Sequence, residues 1–159
     1  MLAGYCVVTY IFGVGDRHHD NLMLKSDGKF IHIDFGFCFG CDPKPFPPPF
    51  KLSPYMVDAM GGMASEHYTK FKEYCCEAYN RIRTHVNTLL SLVALMLDSQ
   101  LQSIVDGEKC IKKVQENCCV ELGDEEAARL FMLLINKSAS ALFAQVTDRL
   151  HDWKQYWFH

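Results

Sequence analysis

The chain is poor in the features that would place it early. It has 2 tryptophans and 6 prolines among 159 residues, and no apolar run reaches the ~18 residues expected of a membrane-spanning helix. Residues 86–97 come nearest and are interrupted by Asn87, Thr88 and Ser91. The opening, apolar from Met1 to Val14, has no basic stretch ahead of it and so does not read as a secretory signal. Basic charge is not in excess either: 16 Lys and Arg face 19 Asp and Glu, for a net charge of -3. That balance gives no reason to expect a nucleic-acid partner. Cysteine is plentiful, at 8, but only Cys38/Cys41, Cys75/Cys76 and Cys118/Cys119 are close in sequence. Adjacent cysteines do not make a zinc site and Cys38-x-x-Cys41 has no second half, so reduced thiols are the default. A chain of this length, 49% hydrophobic, can bury one core.

The informative residues lie in the first third. Asp16-Arg17-His18-His19-Asp20-Asn21 is followed by Ile31-His32-Ile33-Asp34-Phe35-Gly36. Residues 23–25 and 29–33 read as two strands joined through Ser26-Asp27-Gly28, whose Asp-Gly step favours a tight turn. Such a turn folds Asn21 back beside Asp34. An amide oxygen and a carboxylate held together are hard ligands suited to Mg²⁺, which takes its other oxygens from water and phosphates. Phosphoryl transfer depends mainly on such positioning and charge neutralisation. Protein kinases use the same logic, although here the loop runs Asp-Arg-His, the reverse of their order.

The reversed loop, with Ile11-Phe12-Gly13-Val14-Gly15 before it and His32-Ile33-Asp34-Phe35-Gly36 after it, resembles the phosphatidylinositol 3- and 4-kinase superfamily. That superfamily also includes the large phosphatidylinositol-kinase-like protein kinases. The stretch Gly40-Cys41-Asp42-Pro43-Lys44-Pro45-Phe46-Pro47-Pro48-Pro49-Phe50-Lys51-Leu52 and the later Met60-Gly61-Gly62 narrow the resemblance to the class III phosphatidylinositol 3-kinases, the Vps34 type. It runs from Leu2 to Trp157 and implies an α+β, mostly helical fold: the C-terminal lobe of a kinase-like catalytic domain, residues 1–159, with a short β-hairpin at the site. Only fifteen residues precede Asp16, with no glycine-rich phosphate loop and no strand lysine among them, so the N-terminal lobe is expected to be missing and the chain alone inactive.

By the same resemblance, His18 accepts or relays the proton of the inositol 3-hydroxyl, Asp16 orients the loop and substrate, and Arg17 belongs to the catalytic group, bracing the loop. Asn21 and Asp34 hold Mg²⁺ or Mn²⁺ with ATP as cofactor. The chemistry supports His18 independently, since imidazole titrates near neutrality. His19 reads as structural, and His32 as a packed or hydrogen-bonded strand residue. The product would be phosphatidylinositol 3-phosphate. The implied setting is cytoplasmic and peripheral, on endosome and autophagosome membranes. The implied partners are the phosphatidylinositol membrane, a regulatory protein-kinase subunit (Vps15 type) and a Beclin-type coiled-coil subunit. Three alternatives stay open: a phosphatidylinositol 4-kinase, a Ser/Thr protein kinase of the superfamily, and a non-catalytic lobe that binds regulatory subunits.

The segment from Phe35 and Gly36 onward corresponds to the activation loop, which faces the lipid headgroup. Its cations are Lys44 and Lys51, set against Asp42. So little charge suits an inositol without extra phosphates. Five of the chain's prolines fall between Pro43 and Pro49, which stiffens the loop; a polyproline II ligand for an SH3 or WW domain is the competing reading. Cys41 stands where the family carries a basic residue.

Beyond Leu52 the chain reads as helical. Ser53-Pro54 opens a short helix ended by Gly61-Gly62. Ser65 caps a helix from Glu66 to about Asn80 that continues to a break near Arg83 or His85, and 89–97 is expected to be the buried core helix. Residues 109–118 suit another helix, and Asp124 is expected to cap one ending near Asn136. Ala139, Leu142, Phe143, Val146, Leu150, Trp153 and Trp157 form a single helical stripe. Its start suits docking on the lobe. Its end, with Trp153, Tyr156, Trp157 and Phe158 beside Lys154, suits a membrane interface.

Overall fold

The computed structural model describes residues 1–43, 48, 50–97 and 106–157, with His19 and residues 142–157 described by backbone alone. Among the described residues the elements are α1 (Leu2–Ile11), β1 (Leu22–Leu24), β2 (Phe30–His32), α2 (Pro54–Ala59), α3 (Glu66–Arg83), α4 (Val86–Met96), α5 (Gly107–Cys118) and α6 (Asp124–Trp157), with β1 and β2 forming a two-stranded sheet. A single 3-10 turn, His19–Asn21, leads into β1.

The core follows from helical spacing. On α3, Tyr68, Phe71, Cys75 and Tyr79 recur at steps of three and four and are all buried; on α6, Ala127, Phe131, Ile135 and Ala139 recur at steps of four. These stripes meet each other and α1, which contributes Cys6, Val7 and Ile11. Tyr79 stacks on Phe131 with centroids 4.2 Å apart, and Phe50 meets Phe131 edge-on at 5.6 Å. Burying side chains of this size contributes about 1.5–3 kcal/mol each. Phe50 and Leu52, both fully buried, thereby anchor the far end of the proline-rich segment to the helices.

The helix starts obey their caps. The Ser53 hydroxyl accepts from Met56 N, Ser65 from Tyr68 N, and the Asp106 carboxylate from Lys109 N, each near 3 Å. Four expectations need correction. The strands are 22–24 and 30–32, each one step from the expected start, because Lys25 N bonds Lys29 O across a wider turn with Gly28 at φ 79°. Helix α4 is not buried: Val93 is enclosed, but Leu92, Leu95 and Met96 are exposed, because the helix packs mainly on α5 along one side. Asp124 is not a cap but the first residue of α6; its carboxylate goes to Arg83 instead. With neither Gly nor Pro between 136 and 139, α6 continues unbroken to Trp157.

A polar link ties three helices to the start of the catalytic loop. Tyr79 OH donates to Asn117 O at 2.8 Å, and Asn117 Nδ2 donates to Tyr10 O at 2.8 Å and Ile11 O at 3.2 Å. Asn117 thus adds a second kind of donor to the Tyr10 carbonyl, which also accepts from Gly13 N at 3.0 Å, and supplies one to the Ile11 carbonyl at the end of α1. Asn117→Ala is expected to destabilise the chain by about 1–3 kcal/mol, the cost of leaving the Ile11 carbonyl without its donor. A urea midpoint equal to that of the parent would show that water replaces the amide.

Candidate active site

The hairpin sets the geometry. Leu22 pairs with His32, and the ladder extends one step further through Ile33 N donating to Asn21 O at 3.0 Å. The backbone of Asn21 is therefore held against the residue preceding Asp34. Asn21 Nδ2 donates to Asp16 O at 3.0 Å, which commits the nitrogen end of the amide and leaves Oδ1 as its donor to a cation. Asp34 sits in the left-handed region at φ 69°, and its Oδ1 accepts from Gly36 N at 2.9 Å in a local side-chain turn. Gly36 is tight here, since a Cβ would lie 3.1 Å from Asp34 Oδ1. Two hard oxygen donors on adjacent backbone, one anionic, fit Mg²⁺ or Mn²⁺. Among the described residues no three His, Cys, Asp or Glu side chains are grouped to hold a metal.

Asp16 also adopts positive φ, 45°. Its carbonyl accepts from His18 N at 2.9 Å as well as from Asn21, so one oxygen organises the loop. His18 stands between two carboxylates, with Nε2 3.5 Å from Asp16 Oδ2 and Nδ1 3.6 Å from Asp20 Oδ2. An imidazole so flanked can take up a hydroxyl proton and have the resulting charge stabilised. Arg17 is buried. Its Nη2 donates to Pro48 O at 3.2 Å, while Nε and Nη1 find no hydrogen-bond partner among the described residues. Burial lowers its pKa, opposed by Tyr5, Cys6 and Asp42 nearby. Its position couples the catalytic loop to the proline-rich segment.

One feature was not anticipated from the motifs. Gly15 N donates to Phe37 O at 2.7 Å, Phe39 N to Phe12 O at 2.7 Å, and Gly40 N to Gly13 O at 2.9 Å. The backbone ahead of the catalytic loop is thereby stitched to the backbone behind Asp34. The approach is close enough that a Cβ on Gly13 would lie 2.6 Å from Gly40 N and one on Gly15 2.5 Å from Cys41 O. The Gly13-x-Gly15 spacing was the available signal. Asp42 adds a side-chain link, its Oδ2 accepting from Asp16 N at 3.3 Å.

His32 is, as read from the sequence, a packed and hydrogen-bonded strand residue. It is buried, with Nε2 3.0 Å from Asp34 O and Nδ1 3.3 Å from Tyr5 OH. A carbonyl can only accept, so Nε2 carries the proton and Nδ1 accepts from tyrosine. Burial lowers the histidine pKa, which favours this neutral form. His32 therefore fixes the backbone of Asp34 from behind. In the enzyme with its complete catalytic domain, His32→Leu is expected to weaken apparent Mg²⁺ affinity by about 10–100-fold, as for other residues that support a metal ligand; a metal titration of turnover superimposable on the parent's would show that Asp34 needs no such support.

Phe35 is exposed, with its ring 5.0 Å from that of His32. Lys51 is half-buried and lines a small cavity with Arg17 and Tyr5. Lys44 and Phe158 lie outside the described residues, as do the side chains of His19, Trp153, Tyr156 and Trp157; α6 carries the backbone of the last three. Among the described residues no helix is long and apolar enough to cross a membrane.

Oxygen donors at the base of a hairpin and a histidine flanked by carboxylates are the kinds of group that phosphoryl transfer uses. The chain belongs to the phosphatidylinositol 3- and 4-kinase family, whose sequence model matches residues 1–105. It is 54% identical over 156 residues to the phosphatidylinositol 3-kinase root isoform of Glycine max, covering 98% of this chain and 19% of that one. It is 53% identical to phosphatidylinositol 3-kinase VPS34 of Arabidopsis thaliana, with the same coverage, and 51% identical to phosphatidylinositol 3-kinase VPS34 of Candida albicans, covering 98% of this chain and 15% of that one. The chain thus spans about a fifth or less of the length of these curated relatives. Kinases of this family use ATP and a divalent metal in general.

Proposed function

We propose that this chain supplies the catalytic and metal-binding loops of a class III phosphatidylinositol 3-kinase, which transfers the ATP γ-phosphoryl to the 3-hydroxyl of phosphatidylinositol. The observation that carries the reading is the ladder step between Asn21 and Ile33, which sets Asn21 against the residue before Asp34. Asn21 and Asp34 hold Mg²⁺ or Mn²⁺, whose bound charge would neutralise the phosphate oxygens. His18 takes the hydroxyl proton, Asp16 and Asp20 face its ring, and Arg17 keeps the lipid-facing loop against the catalytic loop. Lys44 and Lys51 face a headgroup bearing a single phosphodiester, and Trp153, Tyr156, Trp157 and Phe158 rest at the membrane surface. The setting is the endosomal and autophagic membrane, with a regulatory protein kinase and a coiled-coil subunit as partners.

The test is phosphate transfer from radiolabelled ATP to phosphatidylinositol vesicles, to phosphorylated phosphoinositides and to a Ser/Thr peptide, using this chain beside a version extended upstream to the full catalytic domain. Label at ring position 3 of phosphatidylinositol, from the extended version, is expected. Label at position 4, or on the peptide, would overturn the reading.

A further inference from the structure

Of the cysteines in the described structure, two occupy the corners of one turn. Cys41 N donates to Cys38 O at 3.1 Å, with Phe39 at φ 56° and Gly40 at φ 83° between them. Two central residues with positive φ define a type I′ turn. A β-turn holds its first and fourth Cα atoms within about 7 Å, and a disulfide spans about 4.4–6.8 Å. Both thiols are free, Cys41 is exposed and Cys38 is half-buried. The turn sits among the links that join the loops of the site: Gly15 N to Phe37 O precedes it, Phe39 N to Phe12 O and Gly40 N to Gly13 O come from its central residues, and Asp42 Oδ2 to Asp16 N follows it.

We propose that Cys38 and Cys41 form a peroxide-responsive dithiol, whose closure to a disulfide displaces the links between the catalytic and metal loops and reversibly stops turnover. Cys41 reacts first, being the exposed member. Cys38 Sγ donates to Phe35 O at 3.3 Å, and burial raises its pKa to about 11, so it waits as the resolving thiol. The Cys41 sulfur attacks one oxygen of hydrogen peroxide. An S–O bond forms as the O–O bond breaks, and the departing hydroxide takes the thiol proton and leaves as water. The Cys38 sulfur then attacks the Cys41 sulfur, an S–S bond forms, and hydroxide leaves with the Cys38 proton as a second water. Two thiols lose two electrons and two protons, and one peroxide becomes two waters.

Closure requires Cys38 Sγ to leave Phe35 O, next to Asp34, and draws on Cys41, whose neighbour Asp42 holds Asp16. Cys110 on α5 is the competing thiol. It is buried and interacts electrostatically with both loop cysteines.

The disulfide stands independently of the kinase reading, while its effect on turnover rests on it, so the test has two arms. The reduced chain is treated with hydrogen peroxide, its remaining thiols are blocked, and it is mapped by peptide mass spectrometry. A Cys38–Cys41 disulfide, two hydrogens lighter and reopened by dithiothreitol, is expected. Pairing of Cys41 with Cys110, sulfinic acid at Cys41 alone, or no change would overturn the proposal. In the enzyme with its complete catalytic domain, peroxide is expected to lower lipid phosphorylation by about a hundredfold, the scale of an ångström-sized displacement at a reacting centre, with recovery in dithiothreitol. Cys38→Ser and Cys41→Ser should each abolish the reversible part of that loss. A mapped disulfide with undiminished turnover would overturn the gating. Failure of the reduced enzyme to phosphorylate phosphatidylinositol would instead count against the proposed function and leave the mapping arm to decide the dithiol.

Discussion

Asp34→Asn is expected to lower phosphoryl transfer by on the order of 10³-fold or more in the enzyme with its complete catalytic domain, while leaving the fold in place. The substitution keeps almost everything that the backbone requires. Asparagine tolerates the left-handed region that Asp34 occupies at φ 69°, and an amide oxygen can accept from Gly36 N as the carboxylate does. The Asp34 carbonyl, which anchors His32, is untouched. What is lost is the negative charge at the proposed metal site. Metal-borne charge stabilisation in such reactions is worth several kcal/mol, and each 1.36 kcal/mol is a factor of ten in rate, so about 4 kcal/mol gives the stated loss. Asn21→Ala should cost as much by a different route, because it removes both an oxygen donor and the tether to Asp16. The check is lipid phosphorylation at saturating ATP over a range of Mg²⁺ concentrations, alongside thermal melts. An Asp34→Asn enzyme within tenfold of the parent, with an unchanged melting curve, would remove Asp34 from the metal site.

How much of this was legible in the sequence depended on whether the cause was local. The hairpin, the caps at Ser53 and Ser65, and the glycine stop at Gly61 and Gly62 are set within a few residues. They appear as read, apart from one-step shifts at the strand ends. Helix α4 was misread because an apolar composition says that a helix can be buried, not that enough neighbours surround it; Leu95 faces away from its packing partner. The role of Asp124 was misread for a similar reason. A local rule predicted a cap, and a side chain 41 positions earlier claimed the carboxylate. At the site, the motifs placed Asn21 beside Asp34, but the Gly13-x-Gly15 spacing, which signals a close approach, could not say that its partner is the backbone of residues 37–40. That pairing joins the two loops into one unit.

The second large effect is on stability, and it follows from the side chain that claims Asp124. Arg83→Met is expected to destabilise the chain by about 3 kcal/mol. The Arg83 guanidinium is nearly buried at the end of α3. Nη2 donates to Leu122 O at 2.6 Å and Cys119 O at 3.4 Å, Nη1 reaches Gly123 O at 3.5 Å and Asp124 Oδ1 at 3.2 Å, and the group lies 5.8 Å from the Tyr79 ring centroid. The ion pair is the lesser part, because the Asp124 side chain is 65% exposed and such pairs contribute about 0–1 kcal/mol. The carbonyls matter more. They belong to the turn after α5, where Cys119 takes φ 47° and the chain reverses into α6, and a hydrogen bond from a charged donor is worth about 1.5–3 kcal/mol. Methionine fills the space but donates nothing, and lysine lacks the fork that reaches several oxygens at once. Asp124→Asn should therefore cost less than about 1 kcal/mol, Arg83→Lys an intermediate amount, and Arg83→Met the most, lowering the melting temperature by roughly 6–12 °C for a chain of this size. Equal effects of Arg83→Met and Asp124→Asn would mean that the ion pair, not the carbonyls, holds the turn. The consequence reaches the site because Arg83 lies one turn after Tyr79, whose hydroxyl holds Asn117 and, through it, the end of α1. Loosening the α5–α6 turn therefore loosens the support from which the catalytic loop departs.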